Sequence, residues 1–544
     1  MDTAFAAFSE AGLWPGLGAL AAKLPAAHIN GPDDVTADAL AAVEGVTRAR
    51  AEQLAKTFFA AAPRLAVAEL LFGAGLSVRP AFGAIDAFGP EAPHLLREDP
   101  WRLLEVAGVD VRTADRFALA TLDERPEKTD PRRGCAQTVY ALTRAARDGH
   151  TVLPEPVLVA ALGGLDAPEP AAALDAALAD GRVLSYPDGE SQVFGLERYA
   201  IAEDAVAEGI TRLVATAEPI GDDDVTAVDP ALDEAQRAAV VAVAGHGVTV
   251  LHGGPGTGKS RTVAAVVALA ERHGKRVALA APTGRAAKRL EALTEHNAST
   301  LHRLLGAQGR SGDFARGESW PIDADLIVVD ETSMLDVELA AALLDACADG
   351  THLLLVGDPA QLPSIGAGRV LGDVLDSGAV PATELTTLYR QAEGGAIARL
   401  ATAVRGGELP MVDDPTKEVV VVVADGPGEA ARRVAQLVTD SIPRALGIDP
   451  SEIQVLTPVH RGAAGTQALN AVLKAALNPR TGGSGFDVGD RVVATANHLD
   501  DGFANGEVGT VTGDQQTQLT VDFGAGSVDV PGKALRDIVH GWAI

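Results

Sequence analysis

From Leu232 onward, short apolar runs alternate with longer stretches of helical periodicity. Apolar runs that are separated by helices predict parallel strands buried on both faces of one sheet. The runs are Val248–Leu251, Arg276–Ala280, Leu326–Val329 and His352–Val356. Two more runs, Val419–Val423 and Ile453–Leu456, predict strands at the start of a second α/β unit. The centre of the chain is therefore expected to be an α/β domain with a parallel sheet.

The N-terminal pattern is different. Residues 1 to about 130 predict short helices separated by Gly and Pro. Leu40–Ala51 and Leu103–Arg116 each show an apolar helix, a Gly turn and a second helix. Both resemble helix–hairpin–helix modules, whose turns present backbone N–H groups to a DNA phosphate. An ordinary pair of packed helices is the alternative interpretation.

Two further regions complete the predicted organisation. Residues 131–228 predict helices and then a small hairpin at 181–186 and 191–194, which suggests a winged-helix-like domain. Residues from about 482 contain short strands with Gly and Asn turns, the pattern of a small β-barrel. The predicted domain ranges are 1–130, 131–228, 229–410, 411–481, 482–535 and 536–544.

Composition narrows the class of protein. The chain has 544 residues, with 45 Lys and Arg against 74 Asp and Glu, a net charge of −29. This charge argues against a protein that coats nucleic acid, although a motor needs only a local basic track. The two cysteines, Cys135 and Cys347, provide neither a disulfide framework nor a zinc site. Without a positive N-terminal region or a long apolar run, we expect a cytoplasmic enzyme that does not contact membranes.

The strongest local motif is His252–Ser260, which lies between a predicted strand and a predicted helix. Its glycines allow the backbone to curl around an anion, and the helix adds its positive N-terminal end. In such a P-loop, Lys259 reaches the β- and γ-phosphates, and the Ser260 hydroxyl binds Mg²⁺. The residues predicted to contact ATP are Gly254, Pro255, Gly256, Thr257, Gly258, Lys259, Ser260 and Arg261.

Two polar segments follow the next predicted strands. Asp330 and Glu331 come directly after Val329, where ligands of parallel sheets usually bind. We expect Asp330 to hold Mg²⁺ and Glu331 to orient and deprotonate the attacking water. Gln361, just beyond the following strand, is placed to sense the γ-phosphate.

The P-loop, the Asp330–Glu331 pair and Gly357–Pro363 resemble motifs I, II and III of superfamily 1 helicases, and of the RecD-like subgroup of superfamily 1B in particular. The resemblance implies that Gln236 reads adenine and that Arg390, in a motif IV-like segment, reaches the γ-phosphate. It also implies contacts with single-stranded DNA from several segments. The predicted DNA-binding residues are Pro282, Thr283, Arg285, Thr300, His302, Arg461 and Asn505.

The resemblance implies an α/β fold: a RecA-like P-loop NTPase motor with parallel sheets, a helical N-terminal region and an SH3-like β insert. It further implies a monomer that uses ATP and Mg²⁺ to move 5′→3′ along single-stranded DNA and to open tailed duplexes. The family continues into a motif VI, whereas this sequence stops at Ile544, so we expect an incomplete second motor domain. An ATP-switched DNA-binding module without unwinding is the alternative. A P-loop kinase would leave Gln361, Arg390 and the β insert without a role.

Overall fold

The computed structural model describes residues 3–544 except 190, 222–224, 309–312, 388–394, 410–411, 413–417, 480–484, 497, 499–500, 504, 515–517, 525 and 533. The chain divides into two compact units. The first contains residues 1–208, 336–341 and 363–370, and the second contains residues 209–335, 342–362 and 371–544.

The first unit begins with short helices around one aromatic core, as the N-terminal pattern predicts. Trp14 and Phe58 are both buried there, with ring centroids 4.6 Å apart. The α-helices are α1 (Thr3–Glu10), α2 (Ala37–Ala41), α3 (Arg48–Ala60), α4 (Ala62–Gly73), α5 (Pro80–Phe88), α6 (Ala92–Glu98) and α7 (Val111–Thr121). Short 3₁₀ helices cover Gly18–Lys23, Pro25–Ala27, Pro32–Asp34, Gly89–Glu91 and Pro100–Glu105.

Both predicted helical hairpins are present. The first turns at Gly45 (φ +87°) and the second at Gly108 (φ +83°), in the left-handed region that favours glycine. The helix after each turn is capped by a side-chain oxygen, from Thr47 in the first hairpin and Asp110 in the second. Because the second cap is a carboxylate, it is the less suitable neighbour for a DNA phosphate. DNA contact by either turn remains a prediction.

The rest of the first unit combines helices with a small antiparallel sheet. The helices are α8 (Pro131–Arg147), α9 (Glu155–Gly164), α10 (Pro170–Asp180) and α11 (Glu197–Thr216), the last of which continues into the second unit. The predicted hairpin is formed by β2 (Val183–Asp188) and β3 (Ser191–Leu196), and β1 (Val152–Pro154) completes a three-stranded sheet of order β1-β3-β2. A winged-helix relationship remains a prediction.

The second unit is built on a six-stranded sheet of parallel pairs, which confirms the predicted α/β core. The four apolar runs form strands within one or two residues of their predicted bounds. Two short outer strands, Ala298–Thr300 and Ala382–Leu385, were not predicted. The strands are β4 (Val248–Gly253), β5 (Val277–Ala281), β6 (Ala298–Thr300), β9 (Leu326–Val329), β10 (His352–Gly357) and β11 (Ala382–Leu385), in the order β11-β4-β10-β9-β5-β6.

Helices connect these strands and bury their apolar residues against the sheet. Leu326, Val328 and Leu354 from the strands share one core with Val263 and Val266 from the helix that follows β4. The helices are α12 (Val225–Val228), α13 (Glu234–Gly245), α14 (Lys259–Arg272), α15 (Gly284–Thr294), α16 (Leu301–Leu304), α17 (Val337–Asp345), α18 (Val370–Ser377) and α19 (Ala396–Arg405). Residues 337–341 of α17 and Val370 of α18 are assigned to the first unit. A two-stranded hairpin, β7 (Ala307–Gln308) and β8 (Asp313–Phe314), follows α16.

The predicted strands at the start of a second α/β unit are wrong. Residues 419–423 form no strand, and the side chains of Val420 and Val423 are 62% and 79% exposed. Val455 makes a single parallel bridge, to Ala543. Apolar, β-branched runs become strands only where a neighbouring strand supplies hydrogen-bond partners, and among the described residues none lies beside 419–423. The helices here are α20 (Pro427–Gln436), α21 (Ile442–Leu446) and α22 (Thr466–Leu477), with a π-helical turn at Leu437–Ser441 and a 3₁₀ turn at Pro450–Glu452.

The predicted barrel region forms a five-stranded antiparallel sheet with its own core, which includes Val492, Val511 and Val521. Its strands are β12 (Arg491–Ala494), β13 (Val508–Asp514), β14 (Gln518–Asp522), β15 (Ser527–Pro531) and β16 (Ile538–His540), in the order β15-β14-β13-β12-β16. The predicted boundary at residue 535 needs correction, because β16 pairs with β12 and belongs to this sheet. A relationship to SH3 domains remains a prediction.

None of the helices in the described ranges combines the length and the apolar character that a membrane span requires.

The contact between α8 and α10 depends on the absence of a side chain at Gly134. A Cβ at this position would lie 2.8 Å from the Ala173 Cα, so the two helix backbones would have to separate. We expect Gly134→Ala to lower the free energy of unfolding of the first unit by about 1–3 kcal/mol. Gly163, in neighbouring α9, is the matched control, because a Cβ added there would meet no other atom within 4 Å. Urea unfolding should show no loss for Gly163→Ala, and equal loss in both variants would contradict the packing argument.

Candidate nucleotide and DNA site

The connection between β4 and α14 has the conformation of an anion-binding loop. Gly256 and Gly258 have φ angles of +82° and +90°, so the chain turns tightly before α14 begins at Lys259. The Thr257 hydroxyl donates to the Gly254 carbonyl oxygen at 2.8 Å and closes the loop. A loop of this kind, followed by a helix N-terminus, is suited to a phosphate group.

The Lys259 ammonium lies over this loop. It donates hydrogen bonds to the carbonyl oxygens of Gly253 at 2.5 Å and Gly254 at 3.1 Å. Burial lowers the pKa of Lys259, whereas three nearby carboxylates, those of Asp358, Asp330 and Glu331, act in the opposite direction. A partly desolvated ammonium at this point provides strong attraction for a triphosphate.

The acidic pair lies at the carboxyl end of β9. The Asp330 N–H donates to the Ala280 carbonyl oxygen at 2.9 Å, and an Asp330 carboxylate oxygen accepts from the Glu331 N–H at 2.9 Å. Glu331 has φ +54°, a conformation that non-glycine residues adopt at a cost and that is frequent at functional sites. Burial raises the pKa of both carboxyl groups, and the neighbouring Asp330 charge raises that of Glu331 further. A raised pKa makes Glu331 a better proton acceptor near neutral pH.

Gln361 is positioned by a turn after β10. An Asp358 carboxylate oxygen accepts from the Ala360 N–H, and the Asp358 carbonyl oxygen accepts from the Gln361 N–H, both at 3.0 Å. β10 lies between β4 and β9 in the sheet, so this turn separates the P-loop from the acidic pair. The structure therefore brings three predicted segments together at one sheet edge.

These segments line a cleft of about 340 Å³. Its lining residues are Gln236, Pro255, Gly256, Thr257, Gly258, Lys259, Ser260, Arg261, Arg289, Leu293, Asp330, Glu331 and Gln361. A second cleft, of about 580 Å³, lies beside the same loop and is lined by Gly254, Asp358, Glu384 and Arg405, among others. The sequence interpretation missed Arg289 and Leu293, although their spacing of four residues on a helix places them on one face.

Gln236 is almost fully buried, at 1% exposure, in the first turn of α13. Its side-chain oxygen accepts from the Asp233 N–H at 3.1 Å, and Asp233 caps the Gln236 N–H in return at 2.7 Å. The Gln236 Nε2 group has no hydrogen-bond partner among the described residues. A buried amide donor without a partner is costly, so a ligand atom in the cleft would satisfy it.

The ligands predicted for Mg²⁺ fit that ion chemically. Ser260 and Asp330 line the same cleft and offer a hydroxyl and a carboxylate oxygen, the hard donors that Mg²⁺ accepts alongside substrate phosphates. Arg261 also lines the cleft, but its guanidinium is engaged in a bidentate pair with Asp229 at 2.8 and 2.9 Å. A direct role of Arg261 in nucleotide binding would require that pair to rearrange.

The predicted DNA residues of the first motor segment lie on neighbouring strand ends. Ala281 and Thr300 are register partners in β5 and β6, which places Pro282 and Thr283 beside Thr300. Thr283 and Thr300 cap α15 and α16 through their side-chain oxygens. Arg285, in the first turn of α15, is exposed. This cluster borders the nucleotide cleft because β5 also pairs with β9.

The remaining DNA candidates come from later segments. His302 is exposed, and its ring lies 5.9 Å from that of Phe314. Arg461 is exposed in the turn before α22. Asn505 precedes Glu507, whose buried carboxylate pairs with the Lys288 ammonium on α15. Arg390 lies outside the described residues.

Comparisons with known proteins agree with this arrangement. Residues 231–424 match a family model described as an AAA domain, and residues 63–152 match the helix–hairpin–helix domain of ATP-dependent RecD2 DNA helicases. The ATP-dependent RecD2 DNA helicase of Deinococcus radiodurans is 38% identical over 502 residues, which cover 87% of this chain and 67% of the relative. The RecBCD enzyme subunit RecD of Mycolicibacterium smegmatis is 35% identical over 451 residues, covering 74% of this chain and 79% of that protein.

Among solved structures, Bacteroides Pif1 bound to single-stranded DNA is 18% identical, with a TM-score of 0.36, over 57% of this chain and 82% of that one. This likeness is too low to bear on function.

A P-loop, an acidic pair and a glutamine at the carboxyl edge of one parallel sheet are the features of a P-loop nucleoside triphosphatase. With relatives of this identity and coverage, the chain belongs to the RecD-like family of superfamily 1B, the ATP-dependent DNA helicases. The second helical hairpin lies inside the matched helix–hairpin–helix range, and the first precedes it.

The unpartnered amide of Gln236 can be tested by removing it with and without an added charge. Gln236→Glu keeps an acceptor for the Asp233 N–H but removes the unpartnered amide donor. We expect it to weaken ATP binding at least about tenfold, the loss of roughly one hydrogen bond, and to lower the thermal stability of the nucleotide-free protein, because it buries a carboxyl group beside Asp233. Gln236→Ala, which adds no charge, should also weaken ATP binding about tenfold. Unchanged ATP affinity in Gln236→Glu, measured by titration calorimetry, would remove the donor from nucleotide recognition.

Proposed function

We propose that this protein couples ATP hydrolysis to 5′→3′ movement along single-stranded DNA and to the opening of tailed duplexes. The observation that carries the proposal is the shared sheet edge. Lys259, Glu331 and Gln361 line one cleft, and the adjoining strand ends carry Thr283 and Thr300. Nucleotide and DNA would thus bind to neighbouring loops of one rigid sheet. The direction of movement rests on the family resemblance.

In the proposed reaction, ATP binds with its phosphates in the P-loop. Lys259 stabilises the negative charge on the β- and γ-phosphates. Glu331 holds a water molecule in line with the γ-phosphorus and accepts its proton as the bond to the ADP oxygen breaks. Ser260 and Asp330 would hold Mg²⁺, which when bound supplies positive charge to the β- and γ-phosphate oxygens. Arg390 would contribute a further positive charge near the γ-phosphate.

DNA binding is proposed to be local and electrostatic. The net charge of −29 makes most of the surface unsuited to a polyanion, so contacts should concentrate on basic and N–H donor groups such as those of Arg285 and Arg461. Backbone contacts of this kind are sensitive to salt and tolerant of sequence. We expect the protein to act as a monomer in the cytoplasm. Its oligomeric state can be measured by sedimentation with and without DNA.

Lys259 and Glu331 should separate binding from hydrolysis. Lys259→Ala should lower ATP affinity and reduce DNA-stimulated turnover by at least about a hundredfold. Glu331→Gln should bind ATP normally but lower kcat by about 10²–10⁴-fold, because the general base is lost. Both variants should bind single-stranded DNA as the unaltered protein does in the absence of nucleotide. Near-normal turnover in either variant would contradict its assigned role.

Polarity is tested with duplexes that carry a single-stranded tail at one end only. We expect ATP-dependent strand displacement from a duplex with a 5′ tail, and at least tenfold slower displacement from the matched 3′-tailed or blunt duplex. The Glu331→Gln protein is the control for duplex melting that is caused by DNA binding alone, without ATP hydrolysis. Faster opening of the 3′-tailed duplex would reverse the proposed direction.

The second candidate is an ATP-switched DNA-binding module that does not unwind. A second motor domain would need a parallel sheet of its own. In the described part of that region, a single parallel bridge joins Val455 and Ala543 instead of a sheet, and this favours the second candidate. Turnover stimulated by single-stranded DNA distinguishes the two. Nucleotide-dependent DNA affinity without stimulated turnover or displacement would support the switch and overturn the motor.

A further inference from the structure

Helix α15 contacts two functional regions through two different turns. Its first turn carries Thr283 as cap and Arg285, both in the predicted DNA cluster. One turn later, Arg289 and then Leu293 line the cleft that contains Lys259 and the acidic pair. An α-helix is rigid over this distance, about 6 Å along its axis from Arg285 to Arg289. A group bound at one turn is therefore mechanically connected to the other.

Arg289 is an exposed residue, and within the described ranges no hydrogen bond or ion pair is found for its guanidinium group. The other arginine that lines this cleft, Arg261, is paired with Asp229. Arg289 nevertheless acts on the site at longer range. Burial raises the pKa of Asp330 and Glu331, and the charge of Arg289, after that of Lys259, opposes the increase.

The surroundings of Arg289 argue against a purely structural role for this residue. An arginine that balances the acidic pair would be expected to bond to one of the carboxylates, and Arg289 does not. Its donors remain available in a cleft that already has a lysine and a helix N-terminus suited to phosphate. The planar guanidinium group matches two phosphate oxygens at once, which an ammonium group does not.

We propose that Arg289 binds the γ-phosphate of ATP and, through α15, couples the presence of that phosphate to the grip on DNA. The proposal rests on the nucleotide site described above and adds a specific contact to it. When the γ-phosphate leaves, Arg289 loses its partner, and the constraint on the DNA-facing turn of α15 is released. Arg289 thus distinguishes ATP from ADP, and it belongs to the same domain as the P-loop.

The test compares a non-hydrolysable ATP analogue with ADP, each with Mg²⁺, on the full chain. For Arg289→Ala we expect the affinity for the analogue to fall 10- to 100-fold and the affinity for ADP to change less than twofold. Arg289→Lys should recover part of the loss, because it restores the charge without the bidentate geometry. Arg272→Ala, at the opposite end of α14, is the matched control for the removal of one exposed arginine and should bind both nucleotides normally.

The coupling is read from DNA affinity. In the unaltered protein, single-stranded DNA should bind with different affinity in the analogue and ADP states, and in Arg289→Ala that ratio should approach one at saturating nucleotide. An equal loss of analogue and ADP binding, or an unchanged ratio, would overturn the proposal. Failure of the unaltered protein to bind either nucleotide would instead refute the nucleotide site itself.

Discussion

The structure depends on the concentration of charge at one edge of an otherwise apolar sheet. The strands β4, β9 and β10 are buried along almost their whole length, so the polar groups that end them meet where the strands stop. There Lys259 lies near Asp330 and Glu331, and all three have pKa values shifted towards the neutral form by burial. Partly desolvated charges of both signs are expensive unless they compensate one another, and a triphosphate with its cation completes that compensation.

Strand order determines which segments border the nucleotide cleft. β10 separates the P-loop strand from the strand of the acidic pair, so the turn that carries Gln361 lies between them. On the other side of β9, β5 leads into α15, and its end is in register with the end of β6 at Thr300. Gln361 and α15 therefore both border the cleft in which the γ-phosphate is proposed to bind. The helix joins the nucleotide cleft, at Arg289, to two of the residues proposed to contact DNA, Thr283 and Arg285.

Several elements followed from the sequence, for identifiable reasons. The four inner strands were predicted because a strand buried on both faces must be almost wholly apolar. The outer strands β6 and β11 were missed because a sheet edge tolerates polar residues, and Ala298–Thr300 has no apolar run. The opposite error occurred at Val419–Val423, where the composition is that of a strand but no neighbouring strand among the described residues supplies hydrogen bonds. Strand β16 lies beyond the predicted end of the β insert, but it pairs with β12 at the edge of that antiparallel sheet.

The chemistry of the nucleotide site was already evident from local features of the amino-acid sequence. Glycine spacing, the lysine after it and carboxylates at a strand end are local features, and their conformations depend on neighbouring residues. Which distant segments share the cleft depends instead on how the helices and strands pack together. Arg289 shows the difference: on the sequence it is one more basic residue on an amphipathic helix, and its place beside Asp330 depends on how α15 packs against the sheet. Such packing is a sum of many weak, non-local contacts, which no short pattern contains.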